Sequence, residues 1–481
     1  MTELKNLYSH LFGYAEERPN DAFLFDESRS FTVAECLYTC VSIANRLYDL
    51  GLRESSLVAL RATRSLDTAI LWLSLEFLGA TVALTDPHDN VSGYLAELSM
   101  DIAPDFVITN EASGGGISAA GCWTVNGAEF GINKINNPAA PKFNTDIDIG
   151  KPAVIIFTSG STGRSKGVVL SQFSILSHVR HYSFVGCYEP DDVQMECLPI
   201  HHVFGLAVIF VGVVCRYKIF FPKSVEVEYV AGCIEKYRIT RLDGVPSYAL
   251  KLARFKLESG ADLSSLRVGV IAGAPLSGMD FEFIEDTLGL KLLPVYGMSE
   301  CIAISGAPGT EPREARVNSV GKPIPGYDVK IEADGEITVR APAVTPGYYR
   351  DERATAEAID PERRLHTGDI GYIDAMGYLH IIGRKKDIII RNGVNLSAVK
   401  IENAIKALPG VLDAAVVGAA DVNVGEVPCA AVVLGGDCDI VPELSRVLTK
   451  PEMPAKILLL DSLPMTSSGK VDKRAVKGLF Q

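Results

Sequence analysis

AVIIFTSGSTGRSKG, residues 153–167, is a short apolar run that passes straight into a loop of glycines and hydroxyl residues. Ala153 to Phe157 is β-branched at its centre and followed at once by small polar residues, which reads as a covered strand of an α/β protein. The loop Thr158-Ser159-Gly160-Ser161-Thr162-Gly163-Arg164-Ser165-Lys166-Gly167 follows at once. Glycines let the backbone approach a ligand closely, and N–H and O–H donors in such a turn close around anionic oxygens. Lys166 and Arg164 add positive charge. The loop does not fit GxxxxGK[ST], because Gly167 rather than Ser or Thr follows Lys166. Without a ligand the same loop would be a polar turn. The segment 168–182, VVLSQFSILSHVRHY, reads as helical, so the loop is expected between a strand and a helix.

Working outward, Phe31 to Pro87 alternates helix and strand signals. Thr32 can cap a helix starting at Val33, with Glu35 at the capping-box position. Residues 55–61 read as a buried strand, 67–78 as a helix and 80–87 as the next strand ending in a turn. This β–α–β alternation predicts parallel sheets. Residues 111–145, with Gly114-Gly115-Gly116 and NNPAAP, read as irregular connection. Val203 to Cys215 is an uninterrupted apolar run, shorter than the ~20 residues of a bilayer span. HIIGRKKDIIIRNG (380–393) marks a boundary. Past it come a helix at 398–408, strands at 411–420 and 429–436, a helix near 441–449, a strand at 456–463 and a polar end. The expected division is a large domain, 1–383, and a small α+β domain, 384–481.

Composition narrows the function classes. The 481 residues are 47% hydrophobic and 22% charged, which is globular. With 46 Lys and Arg against 59 Asp and Glu, the formal net charge of −13 argues against general nucleic-acid binding. Ten cysteines form no CxxC pair, so neither a zinc site nor a disulfide framework is indicated. The charged N-terminus has no apolar signal core, and a soluble cytoplasmic protein is expected.

The loop at 158–167 resembles the phosphate loop of the adenylate-forming (ANL) superfamily, and further segments follow in that superfamily's order. LPIHHVFG (198–205) is similar to its acyl-pocket segment, IAGAPLS (271–277) to its adenine-side loop and YGMSE (296–300) to its YGxTE motif. HTGDIGYID (366–374) is similar to the TGD motif, GRKKD (383–387) to the hinge and PMTSSGKVDKR (464–474) to the terminal lysine motif. The resemblance implies a large α/β domain of helix-wrapped parallel sheets with a smaller barrel-like part, and a mobile C-terminal domain. It also implies residue roles. Thr158, Ser159, Gly160, Ser161, Thr162, Gly163 and Lys166 would hold phosphates. Gly273, Ala274, Pro275, Tyr296, Gly297 and Met298 would hold adenine. Asp369 would accept from the ribose hydroxyls, and Arg384 would contact ribose or phosphate. Glu300 would ligate Mg²⁺, to which a carboxylate is well suited. Ser299 keeps the hydroxyl of the usual Thr. Lys470 would stabilise the charge that builds as a carboxylate attacks ATP. Lys386 would be the hinge. His202, Val203, Phe204, Gly244 and Cys301 would line the acyl pocket.

The acid is expected to have an apolar body, aliphatic or aryl. No acidic residue lies between Pro199 and Phe221 to pair with an amino acid's ammonium. The implied cofactors are ATP and Mg²⁺, with CoA as thiol co-substrate. A free-standing enzyme loading a separate carrier protein is the alternative. A nucleotide-binding protein without turnover is the alternative of another class. In the segment 393–402 the family's GENxxPxEIE becomes GVNLSAVKIE. Val394, Ala398 and Lys400 are the departures, and they bear on the acceptor thiol more than on adenylation.

Overall fold

The computed structural model describes residues 4–87, 104–109, 123–126, 132, 134–135, 139–158, 165–436, 439–465 and 471–480. The chain divides into two compact units, 1–329 with 339–365, and 330–338 with 366–481.

The first unit contains two large sheets. A seven-stranded sheet is ordered Gly347–Tyr348, Lys166–Ser171, Pro152–Thr158, Thr81–Thr85, Leu57–Arg61, Phe106–Thr109, Trp123–Asn126. Its members from Pro152–Thr158 outward to Trp123–Asn126 are parallel. A nine-stranded sheet carries a parallel run of Lys291–Tyr296, Val268–Ile271, Arg241–Leu242, Val193–Met195, Lys218–Phe220 and Ala22–Phe25. Leu57–Arg61, Thr81–Thr85 and Pro152–Thr158 are buried along nearly their whole length, as parallel strands covered on both faces are.

The local signals produce the elements expected. Thr32 caps the helix Val33–Asp49 with a reciprocal capping box through Glu35. Ser65 caps Leu66–Phe77, whose residues other than Asp67 are buried. The apolar run becomes the buried helix Val203–Cys215. Among the described residues no helix is long and apolar enough to cross a membrane.

Two expectations fail. Residues 168–182 are not one helix: Lys166–Ser171 is a strand, antiparallel to Pro152–Thr158, and the helix is Gln172–Gly186. Val168, Val169 and Leu170 suit either state locally, and pairing with the preceding strand decides. Ser171, capped against Ser174, then starts the helix. The stretch 111–145 is likewise not wholly irregular, since it contains the edge strand Trp123–Asn126.

In the second unit, Val411–Asp421 and Gly425–Leu434 form a long antiparallel hairpin, with Lys456–Leu460 added in parallel and the hairpin Ile388–Arg391/Val394–Ser397 beside it. The helix Ala398–Lys406 packs its Ala398, Ile401 and Ile405 into the unit's core. The polar stretch after Lys456–Leu460 contains the helix Lys473–Gly478, which buries Val476. This unit also holds the hairpin of Leu365–Ile373 and Leu379–Arg384. By contacts, the unit therefore begins upstream of 384.

Candidate active site

Four parallel strands of the nine-stranded sheet bring their carboxyl ends to one edge. From those ends run Glu196, Asp243–Gly244, Ala272–Pro275 and Gly297–Glu300. In open α/β sheets, ligands bind outside this edge. Gly244 N–H donates to the Val270 carbonyl at 2.9 Å, and Ala272 N–H to the Gly244 carbonyl at 3.3 Å. This seats Gly244 beside the 271–277 loop. Gly273 has φ +86°, which favours glycine. Gly273, Ala274 and Pro275 are exposed.

The YGMSE segment is held tightly. The Tyr296 carbonyl accepts from Ile304 N–H at 2.7 Å, and the Met298 carbonyl from Cys301 N–H at 3.0 Å. A Cβ on Gly297 would lie 2.0 Å from the Ile302 carbonyl oxygen, so only glycine permits this close turn. Ser299 is half-buried at the turn, and Met298 packs beside Cys301 and Ile304.

The turn presents Glu300, which is 7% exposed. Tyr348 Oη donates to Glu300 Oε1 at 2.6 Å. Burial, then the adjacent carboxylate, raises the phenol's pKa well above its usual range. The Glu300 carbonyl accepts from Thr345 N–H at 2.7 Å. Lys166 Nζ lies 4.8 Å from the Tyr348 ring centroid, within cation–π range. Tyr348 is thus a site residue the sequence reading missed. The only hint was the Pro-Gly turn in Val344-Thr-Pro-Gly-Tyr-Tyr349, since the partner stands 48 positions away.

At the glycine-rich loop, Thr158 and Lys166 are a paired register position. Ser165 Oγ donates to the Thr158 carbonyl at 2.7 Å. The two strands of a hairpin therefore flank the loop, correcting the expected strand–loop–helix placement. Ser159, Gly160, Ser161, Thr162 and Gly163 lie outside the described residues, as does Lys470.

The acyl-segment residues are dispersed over several surroundings. His202 is exposed at the N-cap of Val203–Cys215, with its ring 4.3 Å from that of His201. Val203 packs on the large core, and Phe204 against Val268, Val270 and Leu293. Cys301 is fully buried, and burial pushes its thiol pKa up.

In the second unit, Asp369 and Arg384 are cross-strand partners. Arg384 Nε contacts Asp369 Oδ1 at 2.8 Å, with side-chain exposures of 53% and 6% respectively. Asp369 N–H donates to Thr367 Oγ1, whose hydroxyl donates to the Ile337 carbonyl. Lys385 pairs with Asp334 at 2.7 Å and Glu336 at 2.9 Å, while Lys386 is exposed in the 3₁₀ turn Lys385–Asp387. Lys400 is matched by Glu452 at 2.5 Å, so its charge is already paired.

Among the described residues no three His, Cys, Asp or Glu side chains gather as a metal site. Glu300 nevertheless fits a nucleotide-borne Mg²⁺, which keeps waters and takes only one or two carboxylates. Its carboxylate is anchored by a neutral phenol rather than by a cation. Asp369 fits poorly, because Arg384 already neutralises it.

The chain matches the AMP-binding enzyme profile over residues 11–349 and the AMP-binding enzyme C-terminal domain over 400–470. It is 29% identical over 471 residues to 2-succinylbenzoate–CoA ligase of Listeria monocytogenes serotype 4b (strain F2365), covering 95% of this chain and 96% of the relative. To 4-coumarate–CoA ligase 2 of Oryza sativa subsp. japonica it is 28% identical over 528 residues, covering 98% and 92%. Among solved structures, ATP-bound MatB from Rhodopseudomonas palustris superposes with TM-score 0.87 at 26% identity, covering 99% of this chain and 98% of that one. o-Succinylbenzoate CoA synthetase from Bacillus subtilis, in complex with the acyl-adenylate intermediate OSB-AMP, shares the fold with TM-score 0.86 at 24% identity, covering 99% of both. With the main profile spanning most of its length and relatives aligned end to end, the chain belongs to the AMP-binding enzyme family.

Proposed function

We propose that the protein is an AMP-forming acid–CoA ligase acting through an acyl-adenylate. The observation that carries this reading is Glu300. It is a buried carboxylate at the carboxyl edge of the sheet, joined through Tyr348 to Lys166 at the mouth of the glycine-rich loop.

In the first step an oxygen of the substrate carboxylate attacks the α-phosphorus of ATP. The bond from that phosphorus to the bridging oxygen breaks, and pyrophosphate leaves with the electron pair. A carboxylate has a poor leaving group of its own, and AMP supplies a good one. Thr158, Lys166 and the loop 159–163 hold the phosphates. Glu300 holds a Mg²⁺ that neutralises phosphate charge when bound. Tyr296 and the 273–275 loop flank adenine, and Asp369 accepts from ribose hydroxyls with Arg384 beside it. Lys470 stabilises charge on the phosphoryl oxygens as the attack proceeds.

In the second step the CoA sulfur attacks the acyl carbon and loses its proton. The acyl–oxygen bond breaks and AMP departs. Lys386 is the pivot between the two steps, with the small domain of 384–481 turning about it. The acid has an apolar body, with His202, Val203, Phe204, Gly244 and Cys301 at its pocket.

Pyrophosphate release across a library of carboxylic acids, with and without CoA, tests the reading. One class of apolar acid should support ATP–pyrophosphate exchange without CoA and thioester formation with it. Response only to amino acids would overturn the acid class. Thioester on a carrier protein but not on CoA would overturn the acceptor. Phosphate release without any acid would indicate a plain ATPase.

A further inference from the structure

We infer that Tyr348 is a positioning residue for the adenylation step, its phenol fixing the metal-binding carboxylate of Glu300 and its ring seating Lys166. The inference rests on the reading that Glu300 holds Mg²⁺, and it assigns a role to a residue outside the motifs that support that reading.

Tyr348 is itself fixed from three directions. Its N–H donates to Thr355 Oγ1 at 2.9 Å, on the helix Glu352–Ala358. As a strand residue it pairs with Val168, while Tyr349 N–H donates to the Gly167 carbonyl at 2.8 Å. Thr345, three residues earlier, donates its N–H to the Glu300 carbonyl and its hydroxyl to the Val169 carbonyl, the latter at 2.5 Å. Gly347 lies between, with φ +149°, and a Cβ there would stand 2.7 Å from Thr355 Cγ2. The segment 345–349 therefore ties the Glu300 turn to the loop-bearing hairpin by main-chain contacts on both sides.

The chemistry favours a phenol at this point. A carboxylate has several acceptor positions, and one neutral donor fixes its plane while leaving oxygen lone pairs for a metal. A Lys or Arg in the same place would neutralise the charge the cation needs. The ring face offers Lys166 a weak seat that does not compete with phosphate oxygens for its protons. One side chain thus sets the spacing between the phosphate-loop cation and the metal-binding anion.

The test uses the full-length protein and Tyr348→Phe, which keeps the ring and removes the hydroxyl. ATP binding is measured by calorimetry with EDTA and across a Mg²⁺ titration, beside thermal unfolding of the nucleotide-free protein. Loss of a group that orients a metal ligand typically costs roughly 10–100-fold in metal affinity. Tyr348→Phe should raise the Mg²⁺ concentration needed for tight ATP binding about tenfold, within that range. Metal-free ATP binding and the unfolding temperature should stay near wild type. On a Glu300→Gln background, Tyr348→Phe should add no further Mg²⁺ effect. Tyr348→Leu, which also removes the ring, should weaken metal-free ATP binding as well. A magnesium-dependent wild type with an unchanged Mg²⁺ requirement in Tyr348→Phe would overturn the inference alone. A wild type whose ATP binding ignores Mg²⁺ would remove the Glu300 reading and the inference with it. Identical metal-free ATP binding in the Phe and Leu variants would overturn the role of the ring.

Discussion

Glu300, on a turn after a strand, and Asp369, within a strand, are both buried carboxylates, yet they are held in opposite ways. Glu300 has a neutral partner, the Tyr348 phenol. Asp369 has a cationic partner, Arg384, on the neighbouring strand. The difference separates two tasks that composition alone cannot separate. A charged carboxylate with a neutral anchor is suited to a divalent cation. A carboxylate already matched by a guanidinium is suited to accepting hydrogen bonds from neutral hydroxyls, such as those of a ribose.

The largest expected effects attack the charge side of this contrast. Glu300→Gln should lower acid-dependent pyrophosphate exchange by about 10²–10³-fold, the scale seen when one charge-stabilising group is lost. Lys470→Ala should lose adenylate formation on a similar scale, about 10²–10³-fold. It should still convert a supplied acyl-adenylate to thioester, and equal loss of both half-reactions would contradict its separate role.

Asp369→Asn should act differently, raising the KM for ATP by about tenfold, the worth of a hydrogen bond to a charged group. It should also erase discrimination between ATP and its 2′- and 3′-deoxy analogues. If Asp369→Asn instead changed the Mg²⁺ requirement, the division of labour between the two carboxylates would be wrong.

Stability against pH sharpens the contrast between buried and ion-paired acids. Glu76, in the first unit, is fully buried beside Gln172, and burial pushes its pKa up to about 8. Its folded pKa lies above the unfolded value. The stability it contributes is complete below the unfolded pKa and is lost as pH rises through the folded one. Glu336, in the second unit, shows the reverse. Burial alone would raise its pKa, but hydrogen bonds from Lys385, Gly368 N–H and His366 outweigh that and lower it. Its contribution is present above the unfolded pKa and lost as pH falls through the folded one. Unfolding followed from pH ~2 to ~9 should therefore show Glu76→Gln flattening the decline that runs up to about pH 8 and Glu336→Gln flattening the acid one.

The smallest effect belongs to Lys385. It is half exposed and bridges Asp334 and Glu336, so Lys385→Met should move the unfolding temperature by only a few degrees, and less in high salt.

Much of this was legible because the signals are local. The Thr32–Glu35 capping box, the apolar run at 203–215 and the hairpin strands of the second unit each announce themselves within a few residues. The strand at 166–171 did not, since its valines and leucine suit either state and only pairing with 152–158 decides. The motif order placed Glu300, Asp369 and Arg384. It could not show that Arg384 pairs with Asp369 or that Tyr348 donates to Glu300, because both contacts join segments distant in sequence or on separate strands. Lys400 shows the same limit: as a departure from the family pattern it is visible in sequence, but its pairing with Glu452 appears only in the fold.

The most direct measurement of the central claim is ATP–pyrophosphate exchange with single carboxylic acids in the absence of CoA. Acid-dependent exchange that requires Mg²⁺ and Glu300, followed by AMP and thioester once CoA is added, is the predicted result. Exchange with no acid in an aliphatic and aryl panel, or acid-dependent turnover releasing ADP and phosphate, would contradict it.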